Sequence, residues 1–198
     1  AITFTNKAAS EMRERVHKAI GNSFHTSFER STPFVSTFHA LGVVILREHH
    51  TLLNLPKHFA IFDRTDSKQA IRNALKALSL DPKQYEPGRI LGIISREKGS
   101  GVRHAEFEAR EAENFWGNIV SRVWEHYERI LGEERALDFD DLLLKAYGLL
   151  SRPEVLAVYH DRWKYIHVDE YQDTNHIQYL IAKKLSESSR NICAVGDI

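Results

Sequence analysis

The sequence predicts an α/β protein: a parallel sheet with helices on it, interrupted by an inserted all-α subdomain. Three observations predict this. Two strand–helix units follow one another at the start of the chain, and successive units of that kind build parallel sheets. A short apolar run, Tyr165-Ile166-His167-Val168, stops at two adjacent carboxylates, Asp169 and Glu170, and leads into another helix. Between about Leu52 and Gly132 the spacing is helical and almost no strand pattern occurs. The expected division is therefore 1–51 and 137–198 for the α/β part and 52–136 for the insertion.

Each element has a local reason. Ile2 and Phe4 alternate with Thr3 and Thr5 in a β-branched and aromatic run, which reads as a strand. Thr5 or Asn6 then caps a helix to about Ile20, with Gly21 as its stop and Ala8, Met12 and Val16 on its apolar stripe. Asn22 to Thr32 reads as a polar loop. Pro33 introduces a second short strand, Phe34-Val35-Ser36, and Thr37 is placed to cap the helix carrying Leu41, Val44, Ile45 and Leu46. In the insertion, Ala70, Ile71, Ala74, Leu75 and Leu78 mark one helix, and Pro87 suits the first turn of the next. Lys98-Gly99-Ser100-Gly101 reads as a flexible loop. A long helix follows, with Ala112, Phe115, Trp116, Ile119, Val123, Trp124 and Tyr127 on one broad face. Asp138 is a plausible cap for a helix through about Leu150, and Pro153 starts another. Thr174 or Asn175 caps the helix carrying Ile177, Leu180, Ile181 and Leu185, and Ile192–Val195 is the last strand.

Bulk properties exclude several classes. At 42% apolar and 27% charged residues the chain is globular in composition. Its formal net charge is zero, so any nucleic-acid binding is local rather than driven by a global basic field. No apolar run approaches the roughly 20 residues of a membrane span, and no signal-peptide pattern is present. The single cysteine, Cys193, rules out an internal disulfide; its strand context predicts a buried thiol and suits a reducing compartment. The eleven histidines are scattered, without an HExxH or zinc spacing. Both ends of the sequence fall in strand-like runs, from which a piece of a larger protein is expected.

The acidic pair is the candidate chemistry. Ligands of open α/β sheets collect at the carboxyl ends of strands. There one carboxylate can hold Mg²⁺ while the other orients a water, the division of labour in nucleotide hydrolysis. The dipeptide alone is equally compatible with a solvated turn. Asp138, Asp140 and Asp141 form a second acidic cluster, for which a helix cap plus solvated acids is favoured over a metal site. Arg96, Lys98 and Arg103 flank the glycine loop and are either contacts to duplex DNA or a solvated loop.

Several stretches together carry a resemblance. AITFTNKAASEMRERV at Ala1–Val16 resembles motif Ia of the UvrD/Rep/PcrA-like superfamily I DNA helicases. VSTFHALG at Val35–Gly42 resembles motif Ib, and VDEYQDTNHIQ at Val168–Gln178 resembles motif II, a Walker B element of DExx form. LDFDDLL at Leu137–Leu143 resembles a further signature, and AVGD at Ala194–Asp197 the opening of motif III. Order and spacing match across nearly the whole chain.

The resemblance implies a RecA-like P-loop NTPase sheet, incomplete here, and a 3′→5′ DNA helicase that uses ATP and Mg²⁺. Asp169 matches the Mg²⁺-associated acid and Glu170 the group that polarises the attacking water. Gln172 and Asp173, with Gln178, match the same motif. Gln172 and Asp173 are candidate nucleotide-site residues, although local turn hydrogen bonds holding the acids in place is the favoured role for all three. Motifs Ia and Ib imply contact with single-stranded DNA and single-strand/duplex junctions through Phe4, Thr5, Asn6, Lys7, Thr37, Phe38 and His39. Two of these sets lie at helix starts, where backbone N–H groups favour phosphate. Core packing is the competing role for Phe4 and Phe38. A bacterial, nucleoid-associated location, without a membrane, is implied as well.

The sequence contains no GxxxxGK[ST] loop to cradle phosphates. The resemblance places that loop upstream of Ala1 on a central strand, so a sheet missing an interior strand is expected, together with weak ATP binding and no unwinding by these 198 residues alone. A binding module without turnover, and the helicase part of an AddA/RecB-type helicase–nuclease, are the alternatives; flanking sequence discriminates among the three.

Overall fold

The computed structural model describes residues 1–21 and 33–197. The polar loop expected at Asn22–Thr32 lies outside the described residues. In chain order the elements are β1 (Ile2–Thr3), α1 (Asn6–Gly21), β2 (Ser36–Thr37), α2 (Phe38–Glu48), β3 (Ala60–Phe62), α3 (Arg64–Ala77), α4 (Pro87–Gly99), α5 (His104–Glu111), α6 (Phe115–Glu133), β4 (Ala136–Asp138), α7 (Phe139–Leu150), α8 (Pro153–Arg162), β5 (Ile166–Val168), α9 (His176–Ser186) and β6 (Ile192–Ala194). Short 3₁₀ turns cover His50–Leu53 and Tyr171–Asp173. The chain divides into two compact units, Ala1–Val44 with Tyr147–Ile198, and Ile45–Ala146.

The first unit is built on a four-stranded parallel sheet in the order β2-β1-β5-β6. Ile2 pairs with Ser36 on one side and Val168 on the other, so β1 is interior. Each strand is bonded to the next, and no gap interrupts the four. β5 reaches β6 directly, so the missing interior strand expected above does not fall between any two of these four. Ile2, Val35, Ile166 and Val168 are buried, as are Ile177, Ile181 and Leu185 on α9. The helix caps are local and sequence-encoded. The Thr5 hydroxyl accepts the Ala8 N–H at 3.1 Å, and the Thr37 hydroxyl accepts the Ala40 N–H at 3.2 Å. Asn175 and Gln178 form a reciprocal capping box at the start of α9. The last strand differs from expectation. All of β6 is exposed, and Cys193 with it, whereas β2 at the opposite edge of the sheet is buried.

The second unit packs α3, α4, α5 and α6 around Ile71, Leu75, Ile90, Ile94, Val123 and Trp124. Asp63 caps α3 and Pro87 opens α4, while Asn114 starts α6 after a separate α5. The expected long helix face therefore begins later; Ala112 precedes α6, and Phe115 points to solvent. The unit is not all-α. Three-residue strands β3 and β4 pair in parallel, Ala60 with Ala136 through Phe62 with Asp138. Three residues are too short for an alternation to declare itself, and their partner is remote in sequence.

Candidate functional site

Because β2, β1 and β5 are adjacent and parallel, the residues after each of them leave the sheet at the same edge. Those residues are His39 and its neighbours, the Phe4–Lys7 stretch, and Asp169–Glu170. The backbone ties the edge together. Asp169 N–H donates to Ile2 O at 2.9 Å, Val195 N–H to Val168 O at 2.8 Å, and Tyr171 N–H to Val195 O at 2.8 Å.

Asp169 is half-buried and Glu170 exposed. The Thr3 hydroxyl donates to Asp169 Oδ2 at 3.2 Å, whereas Oδ1 has no protein partner among the described residues. Glu170 adopts the left-handed conformation, φ 52° and ψ 44°. For a non-glycine residue such a backbone is uncommon and costs on the order of 1 kcal/mol or more. It ends the extended run of β5 and leads into the 3₁₀ turn Tyr171–Asp173. Gln172 Nε2 donates to Glu170 Oε2 at 2.7 Å, and Gln172 Oε1 accepts the Asp197 N–H at 3.2 Å. Gln172 thus braces the acid against the chain beyond β6. Gly196 passes so close to this turn that a Cβ there would collide with Gln172 Oε1 and lie 3.2 Å from the Tyr171 and Gln172 nitrogens. Asp173 donates its N–H to Glu170 O at 3.0 Å and keeps its carboxylate exposed. Gln178 is turned inward to cap α9 and does not reach the acids.

Mg²⁺ retains several waters and needs only one or two carboxylates beside substrate phosphates. A half-buried Asp169 with one oxygen free of protein donors, and a second acid next to it, fits that demand. Among the described residues no group of three or more His, Cys, Asp or Glu is arranged to hold a metal by itself.

At the helix starts, Thr5, Asn6 and Lys7 are exposed, and Lys7 lies 4.0 Å from Glu11 in a solvated pair. Phe4 is half-buried, edge-on to Phe38 with ring centroids 6.0 Å apart at 67°. Phe38 itself is only 1% exposed. A ring so enclosed offers no face to a DNA base, against the direct contact expected of it; core packing, the competing role, is where it lies, against Phe4. Thr37 is likewise buried and its hydroxyl is occupied by capping. His39 is half-buried, and burial pushes its imidazole below the ordinary pKa.

The other candidates fall in the second unit. Lys98 is a residue of α4, not of a flexible loop, and is fully buried, so it touches no duplex. Its ammonium donates to Asp138 Oδ2 and Asp141 Oδ1, each at 2.9 Å, and stands 3.7 Å from Glu128. The Tyr127 hydroxyl donates to Asp138 Oδ2, and Asp138 Oδ1 accepts the Asp141 N–H at 2.7 Å. Asp138 is the cap expected of it, but Asp138 and Asp141 are buried partners of Lys98 rather than solvated acids. The two carboxylates outweigh the burial of Lys98 and raise its pKa. The Lys98 charge holds Asp141 low, while burial and the Asp141 charge push Asp138 up. The sequence marks Lys98 as a loop residue and not as a buried one, because a Lys beside Gly-Ser-Gly reads as surface. Among the described residues no helix is long and apolar enough to cross a membrane.

A parallel sheet whose carboxyl edge gathers a DExx acid pair and two capped helix starts defines a class, and the family follows. The model of the UvrD/REP helicase N-terminal domain matches residues 1–198, and the chain belongs to that family. It is 42% identical over 198 residues to the ATP-dependent DNA helicase PcrA of Staphylococcus aureus, and 41% identical to that of Staphylococcus epidermidis. Each match covers all of this chain and 26% of the relative, so the chain spans about a quarter of the length of these relatives.

Proposed function

We propose that this chain is part of the first, RecA-like motor domain of a 3′→5′ DNA helicase, in which ATP hydrolysis drives movement along single-stranded DNA and unwinding at duplex junctions. On this reading residues 1–51 and 137–198 belong to the motor and 52–136 to an insertion. DNA repair or replication in a bacterial cytoplasm, at the nucleoid, is the corresponding setting. The observation that carries the proposal is the convergence of Asp169–Glu170 and the Phe4–Lys7 stretch at one sheet edge, tied by the Thr3–Asp169 hydrogen bond.

Asp169 holds the Mg²⁺ that accompanies ATP, and that ion supplies charge neutralisation at the phosphates. Glu170 orients and deprotonates the attacking water. Gln172 fixes the Glu170 carboxylate, and Asp173 lies beside it at the nucleotide site. Thr5, Asn6 and Lys7 present a helix start and an ammonium to DNA phosphate, His39 borders the neighbouring helix start, and Phe4 offers a ring to a base. Thr37 and Phe38 shape this surface from behind.

The test is Glu170→Gln in the full-length protein. Nucleotide affinity stays within about twofold while the hydrolysis rate falls on the order of 10²–10⁴-fold, the usual contribution of a positioned acid–base group. Retention of most of the hydrolysis rate overturns the assignment.

A further inference from the structure

Thr3 is polar, yet it is completely buried, in a strand whose preceding residue Ile2 is core. A buried hydroxyl needs a partner, or it costs free energy through lost hydration. Its partner is the Asp169 carboxylate, accepting at Oδ2 from 3.2 Å. The residue before Thr3 supplies a second restraint, since Ile2 O accepts the Asp169 N–H at 2.9 Å. Two consecutive residues of β1 therefore hold one aspartate, by its backbone and by its side chain. Thr3 is the last residue of β1, and its β-branched side chain has restricted χ1 freedom. Its hydroxyl is thereby aimed, not merely near.

We propose that Thr3 is a positioning residue for the metal-holding carboxylate, an inference that rests on the assignment of Asp169 above. Its hydroxyl occupies Oδ2 and fixes the side-chain rotation, so that Oδ1 faces the open edge of the sheet. Carboxylates that bind metals are themselves held by hydrogen bonds, and losing such a partner costs roughly 10–100-fold in metal affinity or activity. Thr3 touches neither nucleotide nor metal in this scheme. Its action is through Asp169 alone.

The experiment uses the full-length protein with Mn²⁺ as the probe metal and a non-hydrolysable ATP analogue, with bound Mn²⁺ read by electron paramagnetic resonance. Thr3→Val keeps the branched shape and removes the donor; Thr3→Ser keeps the donor. Thr3→Val weakens Mn²⁺ binding at least about fivefold and raises the Mg²⁺ concentration needed for half-maximal ATP hydrolysis by a similar factor. Thr3→Ser restores both to within about twofold of the parent. DNA affinity without nucleotide is the same in all three, and so is the thermal midpoint of Thr3→Ser. Unchanged Mn²⁺ affinity in Thr3→Val overturns the proposal. So does a loss in Thr3→Ser as large as in Thr3→Val, which marks a packing role. Asp169→Asn, measured alongside, separates the two levels. If Asp169→Asn abolishes Mn²⁺ binding while Thr3→Val leaves it intact, only the role of Thr3 fails. If Asp169→Asn has no effect, the assignment of Asp169 fails and the role of Thr3 is overturned with it.

Discussion

Lys98→Met removes a buried ammonium and leaves a side chain of similar reach. In the parent, Lys98 lies 2.9 Å from both Asp138 and Asp141, and the three side chains are almost wholly enclosed. Methionine fills the space of the stem but leaves two neighbouring carboxylates with only the half-exposed Lys145, 4.0 Å from Asp141, as a counter-ion. Breaking a buried ion pair from one side costs about 3–5 kcal/mol, most of it the penalty of the stranded charge. Single domains are stable by only about 5–15 kcal/mol, so the variant loses a large fraction of its margin at pH 7. The pH dependence has a definite sign. Asp141 is held below its ordinary pKa, so its contribution is present above that ordinary value, near 4, and is lost as pH falls through the folded value. Lys98 is raised, so its contribution is present below its ordinary value, near 10.4, and is lost as pH rises through the raised one. Between about pH 5 and pH 10 both contributions are intact. In Lys98→Met the carboxylates can relieve their repulsion by binding a proton, so the deficit shrinks as pH drops towards 4. Urea unfolding followed by tryptophan fluorescence measures this, because Trp124 donates its Nε1–H to Glu128, 3.7 Å from the ammonium. A deficit below about 1 kcal/mol at pH 7, or one that does not shrink in acid, refutes the account.

Two further perturbations separate roles that the sequence leaves together. Phe4→Ala lowers single-stranded DNA affinity by about 1–3 kcal/mol, as expected for a lost stacking face, with little change in melting; Phe38→Ala costs about 3–5 kcal/mol of stability, as expected for a deleted core aromatic. Equal effects of the two on binding and on melting would remove the distinction between an edge ring and a core ring. Asp140 is pushed up to about 6, chiefly by burial. A raised carboxylate destabilises the fold at pH above its folded pKa, so Asp140→Asn gains about 1 kcal/mol at pH 7 after allowance for partial solvent screening. That gain disappears below about pH 4, where the parent is protonated in both states; a constant gain across this range, read in urea titrations, contradicts it.

The parts of the site that were legible share one property: their cause is local in the chain. Thr5, Thr37 and Asn175 cap helices because a short oxygen-bearing side chain sits two or three residues before the amides it satisfies. The acid pair follows a short apolar run that reads as a strand, and Asp138 caps α7 for the same local reason as the others. What stayed hidden depends on partners distant in sequence. Lys98 meets Asp138 and Asp141 only because α4 packs beside β4 and α7, and β3 exists only because β4 is there to pair with it. Phe38 shows how the two kinds of information separate at a single residue. The pattern VSTFHALG marks it as part of the site, yet only the packing of α2 decides that its ring points inward, under Phe4. Thr3 goes further still, since nothing about a threonine in an alternating strand marks it as special. Its neighbour across the sheet does, because Ile2 pairs with Val168 and the register therefore delivers Asp169 to its hydroxyl. A one-residue slip in that register would move Asp169 away from Thr3 and send β1's core face to the other side of the sheet. Burial of Ile2 and Val168 thus holds in place the same pairing that aims the carboxylate.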